Sequence, residues 1–564
     1  MPSPFVGPSS QNDRPPGDGT RPPAVTLPKY RLSNRPLNLD VSTGPIATAW
    51  GLMDACRIGT LLPLSRPERS GTSSERGIVR ERIEELEAVA RSLEPNAEER
   101  ARIRDPVIGF TERFLEELAE APCYHLDQSG ARRLGQLPVG ESGLDPEVLA
   151  EVLEGAVTGQ GLNPASGGHL GYIPGGGLYP AALGDYVAAV TNEYAGIGFA
   201  GPGAVEMENQ LIRWMAELVG FPETAGGNLA SGGSVANLIA VVTAREARGV
   251  RAVDVPRTVA YGTDQTHHCV AKALHIAGLG EAVWRSVPMD STYRMDPQAL
   301  RDAVAQDRAA GRIPWLLVAS AGTTDAGSVD PLAPLGRIAE EEGLWYHVDA
   351  AYGGFFLLVP EIRPLLQGMA EADSVVLDPH KGLFLPYGIG AVLVRDDDHL
   401  RQAHARDAAY LQDAAAEEWA SPADRSPELT KHWRGPRMWL PLLLFGLQPF
   451  RAALTEKHLL ARYFRKRARG LGFEVGPEPE LSVVLYRWVP EDGDPDAFNR
   501  ELLKRLHSDG RVFVSSTTLD GRFYLRLAIL SFRTHLRTVD LYLEMLASVL
   551  REMGEGPEPH PHQA

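Results

Sequence analysis

Between about residues 200 and 395 the chain alternates short, near-continuous apolar runs with longer stretches whose apolar residues recur at helical spacing. Trp315-Leu316-Leu317-Val318-Ala319, Leu344-Trp345-Tyr346-His347-Val348 and Ser374-Val375-Val376-Leu377 are the clearest runs. Each reads as a strand buried on both faces. Strands separated by helices predict a mainly parallel sheet, because parallel neighbours need a crossover. Residues 77 to 120 mix charged and apolar positions, as in Ile83-Glu84-Glu85-Leu86-Glu87-Ala88-Val89-Ala90, and predict helices. Helical stretches and strands such as Ser482-Val483-Val484-Leu485-Tyr486 predict a smaller α+β unit from about 440 to 550. Residues 1 to 40 carry nine of the 44 prolines and little apolar pattern, which predicts a disordered arm. The expected organisation is an arm (1–40), an N-terminal helical segment (41–199), a large α/β domain (200–440), a small α+β domain (441–553) and a polar tail (554–564).

Composition narrows the class of protein. A chain of 564 residues, 43% hydrophobic, can bury a large core in more than one domain. No apolar run reaches the ~20 residues that span a bilayer. The nearest, Ile46 to Leu64, is broken by Asp54 and Arg57. The polar, proline-rich start does not read as a signal peptide. Three cysteines, Cys56, Cys123 and Cys269, predict a reducing, cytoplasmic setting without a disulfide framework. A net charge of −17 argues against nucleic acid and anionic membrane as partners.

Two strand ends carry the chemistry. Asp378-Pro379-His380-Lys381 follows one apolar run and Asp349 ends another, 32 residues earlier, about one strand-helix-strand unit. Neighbouring strands would then bring Lys381 and Asp349 together at the carboxyl edge of the sheet. An amine and a carboxylate so placed suit pyridoxal 5'-phosphate: the lysine holds the aldehyde carbon, and the carboxylate keeps the ring nitrogen protonated. Asp349 alone also reads as the cap of a turn. Ala351, two residues on, has a small side chain for a flat ring to rest on. Asn228-Leu229-Ala230-Ser231-Gly232-Gly233-Ser234 runs into an apolar helical stretch, so Gly233 and Ser234 would offer N–H groups to a phosphate. His267, after the strand Thr258-Val259-Ala260, is placed to lie on a ring or to cap the next helix. His268 and Cys269 lack further ligands at zinc spacing, so no metal is expected.

Glycine loop, histidine, aspartate and lysine occur in that order, and the chain here resembles the group II pyridoxal-phosphate-dependent amino-acid decarboxylases over roughly residues 150 to 545. His169-Leu170-Gly171-Tyr172-Ile173-Pro174, Ala321-Gly322-Thr323-Thr324, Met438-Trp439 and Phe523-Tyr524-Leu525-Arg526-Leu527-Ala528-Ile529 match further family segments. The resemblance implies fold type I, with a mainly parallel central sheet, an N-terminal helical segment and a small C-terminal α+β domain. It implies a homodimer with its active site at the subunit interface and a small-molecule amino-acid substrate. It makes Lys381 the Schiff-base lysine, Asp349 the partner of the ring nitrogen, and His267 the stacking residue that also meets the substrate carboxylate. Ala351 would touch the other ring face. Gly233, Ser234 and His380 would hold the phosphate, with Thr323 nearby.

Two departures stand out. Asp378 replaces the asparagine of the animal enzymes, and a carboxylate beside a phosphate is repelled unless it is turned away or protonated. The stretch Leu411 to His432 contains no tyrosine, the residue with which the family protonates the carbanion. Tyr410, His432 or water would take that role, or the reaction would end in an aldehyde by an oxygen-dependent route. Gly175, Gly176 and Gly177 would make a roomy substrate loop or a flexible turn. Arg434, Arg437 and Arg526 are candidates to meet an acidic side chain; an aromatic substrate is favoured, an acidic one next.

Overall fold

The computed structural model describes residues 73–406 and 420–556. The proline-rich arm, Tyr410 and the end of the tail lie outside the described residues. The chain divides into two compact units, Met1–Glu87 and Ala88–Ala564. The described part of the first is helical from Ser73 onward, within the helix Ser73–Ala90. Both large cores and the site belong to the second.

The second unit is built on a seven-stranded sheet. Its strands are Gly226–Ala230 (β1), Thr258–Gly262 (β2), Val283–Ser286 (β3), Ile313–Ser320 (β4), Trp345–Asp349 (β5), Ser374–Leu377 (β6) and Gly390–Val394 (β7). They lie in the order β1-β7-β6-β5-β4-β2-β3. Strands β2 to β6 run parallel; β7 is antiparallel to both β6 and β1. The apolar runs become strands because helices cover both faces, so Leu317, Val348, Val375 and Leu377 are fully buried. Register sets the site. Ser320 pairs with Asp349 and Asp349 with Val376, so β4, β5 and β6 end level with one another.

A five-stranded sheet forms a second core. Four of its strands come from residues 474–528 and the fifth is His169–Leu170, parallel to Phe513–Val514. The segment 41–199 is therefore not wholly helical, and the smaller sheet reaches beyond 441–553. Glycines explain the pairing: Phe513 N–H donates to Gly168 O at 2.9 Å, and a Cβ on Gly168 would overlap the Arg511 carbonyl oxygen. Among the described residues no helix is long and apolar enough to cross a membrane, and no group of His, Cys, Asp and Glu could hold a metal ion.

Candidate active site

The carboxyl ends of β1, β2, β4, β5 and β6 surround a cavity of about 310 Å³. Gly233, Ser234, His267, Thr323, Asp349, Ala351, His380 and Lys381 all line it. Eight positions scattered over 149 residues of sequence (381 − 233 + 1) are thus brought to one place by the sheet register.

Lys381 sits on the short helix Pro379–Gly382 that follows β6. Its ammonium lies 3.0 Å from Asp378 Oδ2. Burial works against the charge, but the Asp378 and Asp349 carboxylates outweigh it and hold the lysine above its ordinary value. Asp378 is 2% exposed and faces the lysine rather than turning away from the site. Its other oxygen, Oδ1, is buried without a hydrogen-bond partner. Gly233 is needed beside it, since a Cβ there would lie 2.8 Å from Asp378 Oδ2.

Asp349 ends β5. Its Oδ1 accepts from Ala351 N–H at 3.1 Å and its Oδ2 from Asn237 Nδ2 at 3.3 Å. His267 caps the helix His268–Ile276: its Nδ1 accepts from Cys269 N–H at 3.3 Å, so the neutral ring carries its proton on Nε2. Burial holds His267 below its ordinary value, against the pull of Asp349. His380 donates from Nδ1 to the Ile389 carbonyl and is also lowered, again chiefly by burial. Thr323 Oγ1 accepts from Ser328 N–H at 3.1 Å, which fixes the hydroxyl at the cavity wall.

Several expectations do not meet here. His432 lies on Asp185, Nε2 to Oδ1 3.3 Å, and is not among the cavity-lining residues. Arg437 binds the same Asp185 at 2.8 Å, and Arg434 is bidentate to Glu428 at 2.8 and 3.0 Å. Arg526 donates from Nε and Nη1 to the carbonyls of Thr324, Asp325 and Tyr172, keeps Nη2 buried without a partner, and is not among the cavity-lining residues. Gly175 is not roomy: a Cβ there would overlap the His380 carbonyl oxygen. Gly176 and Gly177 adopt φ of 108° and 68°, a turn that side chains disfavour. Asn237, Gln265 and Tyr352 also line the cavity and carried no expectation. Asn237 lies four residues after Gly233, one helical turn, which is the signal that would have found it.

The residues suit pyridoxal phosphate. An amine, a carboxylate, an imidazole and a glycine-led helix N-terminus face one space, and Gln265 Oε1 is a buried acceptor without a partner there. Comparison with known proteins agrees. Residues 168–489 match the model of the pyridoxal-dependent decarboxylase conserved domain. The chain is 30% identical to an aromatic-L-amino-acid decarboxylase of Bacillus atrophaeus, over 79% of this chain and 94% of the relative. It is 31% identical to a phenylacetaldehyde synthase of Arabidopsis thaliana, over 68% of this chain and 80% of that one. The crystal structure of Oryza sativa TDC with PLP and tryptamine superposes with a TM-score of 0.77 at 27% identity, covering 81% of this chain and 99% of that one. The chain therefore belongs to the pyridoxal-dependent decarboxylases: a fold-type-I carboxy-lyase whose cofactor is pyridoxal 5'-phosphate.

Proposed function

We propose that the enzyme decarboxylates an aromatic L-amino acid. The carrying observation is the convergence of Lys381, Asp349, His267 and the Gly233-Ser234 helix start on one cavity. Lys381 holds the cofactor's aldehyde carbon and Asp349 its ring nitrogen. His267 covers one ring face and offers Nε2–H to the substrate carboxylate, while Ala351 supports the other face. Gly233, Ser234 and His380 hold the phosphate, with Thr323 beside them. When bound, the cofactor supplies an electron sink for the pair left at the α-carbon as carbon dioxide departs. Gripping the carboxylate selects which α-carbon bond breaks, by holding it in line with that sink.

Two features favour an aromatic side chain over an acidic one. Arg434 and Arg437 are already paired with carboxylates, and neither they nor Arg526 line the cavity, so none is placed there to receive an acidic side chain. A second, mostly apolar cavity of about 370 Å³, lined by Phe114, Val157, Leu162, Leu385 and Tyr387, lies beside the first, with Tyr387 on its wall against the His380 ring. We propose a homodimer, because Tyr186 and Val190 on one helix and Leu443 and Leu444 on its packed neighbour expose 60 to 65% of their surface. We also propose a cytoplasmic location, and domains 41–199, 200–440 and 441–553 within the subunit, with the strand His169–Leu170 lent to the last of them.

The tyrosine-free stretch Leu411 to His432 favours a second outcome. In it the amino acid, dioxygen and water give aldehyde, carbon dioxide, ammonia and hydrogen peroxide, one of each. The test is a panel of amino acids assayed for these four products and for the amine. Carbon dioxide with amine and no peroxide supports decarboxylation; peroxide and ammonia equal to carbon dioxide support the aldehyde route. Turnover of acidic but not aromatic substrates would overturn the substrate assignment. Lys381→Ala abolishes the visible absorbance and borohydride trapping; a variant that keeps a covalent cofactor overturns the site.

A further inference from the structure

Behind Asp349 runs a closed chain of hydrogen bonds. Asn237 Nδ2 donates to Asp349 Oδ2 at 3.3 Å and to the Gly233 carbonyl at 2.9 Å. Asn237 Oδ1 meets His347 Nε2 at 2.9 Å. His347 Nδ1 meets Ser374 Oγ at 2.8 Å, and Trp345 Nε1–H donates to that same oxygen at 2.9 Å. Asn237, His347, Ser374 and Trp345 are all buried.

The direction of every proton follows from what each partner can do. A carboxylate and a backbone carbonyl only accept, so the Asn237 amide must turn its nitrogen to both. Its oxygen then needs a donor, so His347 carries its proton on Nε2. His347 Nδ1 is left to accept, so the Ser374 hydroxyl donates to it, and the serine oxygen accepts from Trp345. All donors point one way, from Trp345 to Asp349. Such an aligned chain polarises each bond in turn and favours negative charge at its end. Burial keeps the His347 ring neutral, down to about 4, so its protonation does not break the chain near neutral pH. The second Asn237 N–H ties this chain to Gly233, where the helix begins.

We infer that Asn237 and His347 are positioning residues that hold the Asp349 carboxylate aimed at the cofactor's ring nitrogen, an inference that rests on the proposed pairing of Asp349 with that nitrogen. Neither residue touches the reacting atoms. They act through Asp349, as outer hydrogen bonds do for metal-bound histidines.

The test loads the protein with cofactor ¹⁵N-labelled in the ring and follows the ring-nitrogen resonance against pH, together with the urea midpoint of each variant. Asp349→Asn is expected to give the unprotonated resonance. Asn237→Leu is expected to lower the pH at which the proton is lost by about one unit, a tenfold loss of proton affinity. His347→Leu shifts it in the same direction. His347→Gln, which can still donate to Asn237, recovers part of the shift. If Asn237→Leu does not fold, the two His347 variants decide. Wild-type titration in the Asn237 and His347 variants, with only the urea midpoint lowered, overturns the inference and makes the chain purely structural. A wild-type resonance in Asp349→Asn instead overturns the pairing on which the inference rests.

Discussion

The Lys381 ammonium pairs with Asp378, 3.0 Å away, and Asp378 is almost wholly buried at 2% exposure. This explains how a carboxylate survives beside the phosphate cradle. In the free protein its charge is balanced by the very lysine proposed to hold the cofactor. Burial alone would push the lysine toward its neutral form; the two carboxylates reverse that and raise it. By linkage, a raised lysine adds stability at every pH below its ordinary value, and the gain is lost only as pH rises through the folded-state value.

Removing that charge exposes the opposing effect. In Asp378→Asn, burial would face a weaker opponent, and Lys381 would titrate lower. Competitive acetylation of the cofactor-free protein, read at Lys381 by mass spectrometry, is expected to show half-reaction at least about one pH unit below wild type. The assignment of Asp378 as the dominant partner fails if the variant lysine titrates at or above the wild-type pH.

Two buried imidazoles give the fold an acid sensitivity. Burial pushes His169, packed among Tyr172 and Phe513, and His347 down to about 4. Below about 6.5 the unfolded chain takes up protons that these folded rings refuse. Stability is therefore full above 6.5 and falls as pH drops toward 4, by up to about 1.4 kcal/mol per pH unit for each ring. Asp330, pushed up to about 6 by burial, acts in the opposite sense, so the comparison must be a difference. Urea unfolding of cofactor-free wild type and His169→Leu from pH 7 to 4.5 is expected to show a shallower fall in the variant. Parallel curves would mean that His169 is charged in the fold.

The fold was largely legible because its strands are doubly buried and read as unbroken apolar runs. Asp349 and Lys381 end two such runs, so one βαβ spacing was enough to pair them. What the sequence hid was set by contacts across long separations. His169–Leu170 is too short to show a period and becomes a strand only where Gly168 meets Arg511. Asp378 looked repulsive because its partner is the lysine itself. His432 looked available because nothing in the sequence points to Asp185, 247 residues away. Asn237 was legible only through its spacing, one helical turn after Gly233; its bonds to Asp349 and His347, more than 100 residues away, were not.

The segment after residue 419 is moored by a buried ion pair. Lys431 Nζ lies 2.6 Å from Glu208 Oε2, with side chains 0% and 2% exposed. Glu208 Oε1 also accepts from the N–H groups of Arg434 and Gly435 at 2.9 and 3.2 Å, where the helix Gly435–Phe445 begins. Glu208→Ala strands a buried ammonium and two N–H groups, and is expected to cost about 3–5 kcal/mol in urea unfolding. Adding Lys431→Met should recover part of the loss, since an apolar pair need not be solvated. A single-variant loss below about 1 kcal/mol would show that water reaches Lys431.

Gly175 couples the loop Tyr172–Gly177 to the lysine segment by contact alone. Any Cβ at this position meets the carbonyl oxygen of His380, the residue before Lys381, and comes within 3.2 Å of the Leu385 carbonyl oxygen. Both obstacles are backbone, so neither can swing aside as a side chain would. Gly175→Ala must therefore move the loop or displace His380, and with it Lys381 and the imidazole proposed to hold the phosphate. Weaker cofactor retention is expected, by about tenfold or more if the displacement costs the ~1.4 kcal/mol of one decade in affinity. Equilibrium dialysis of the cofactor against wild type and variant measures it. Gly177→Ala is the control: nothing lies within 4 Å of its Cβ, and only its φ of 68° opposes the methyl. Equal loss in both variants would mean that any disturbance of this loop, and not contact with His380 in particular, weakens cofactor retention.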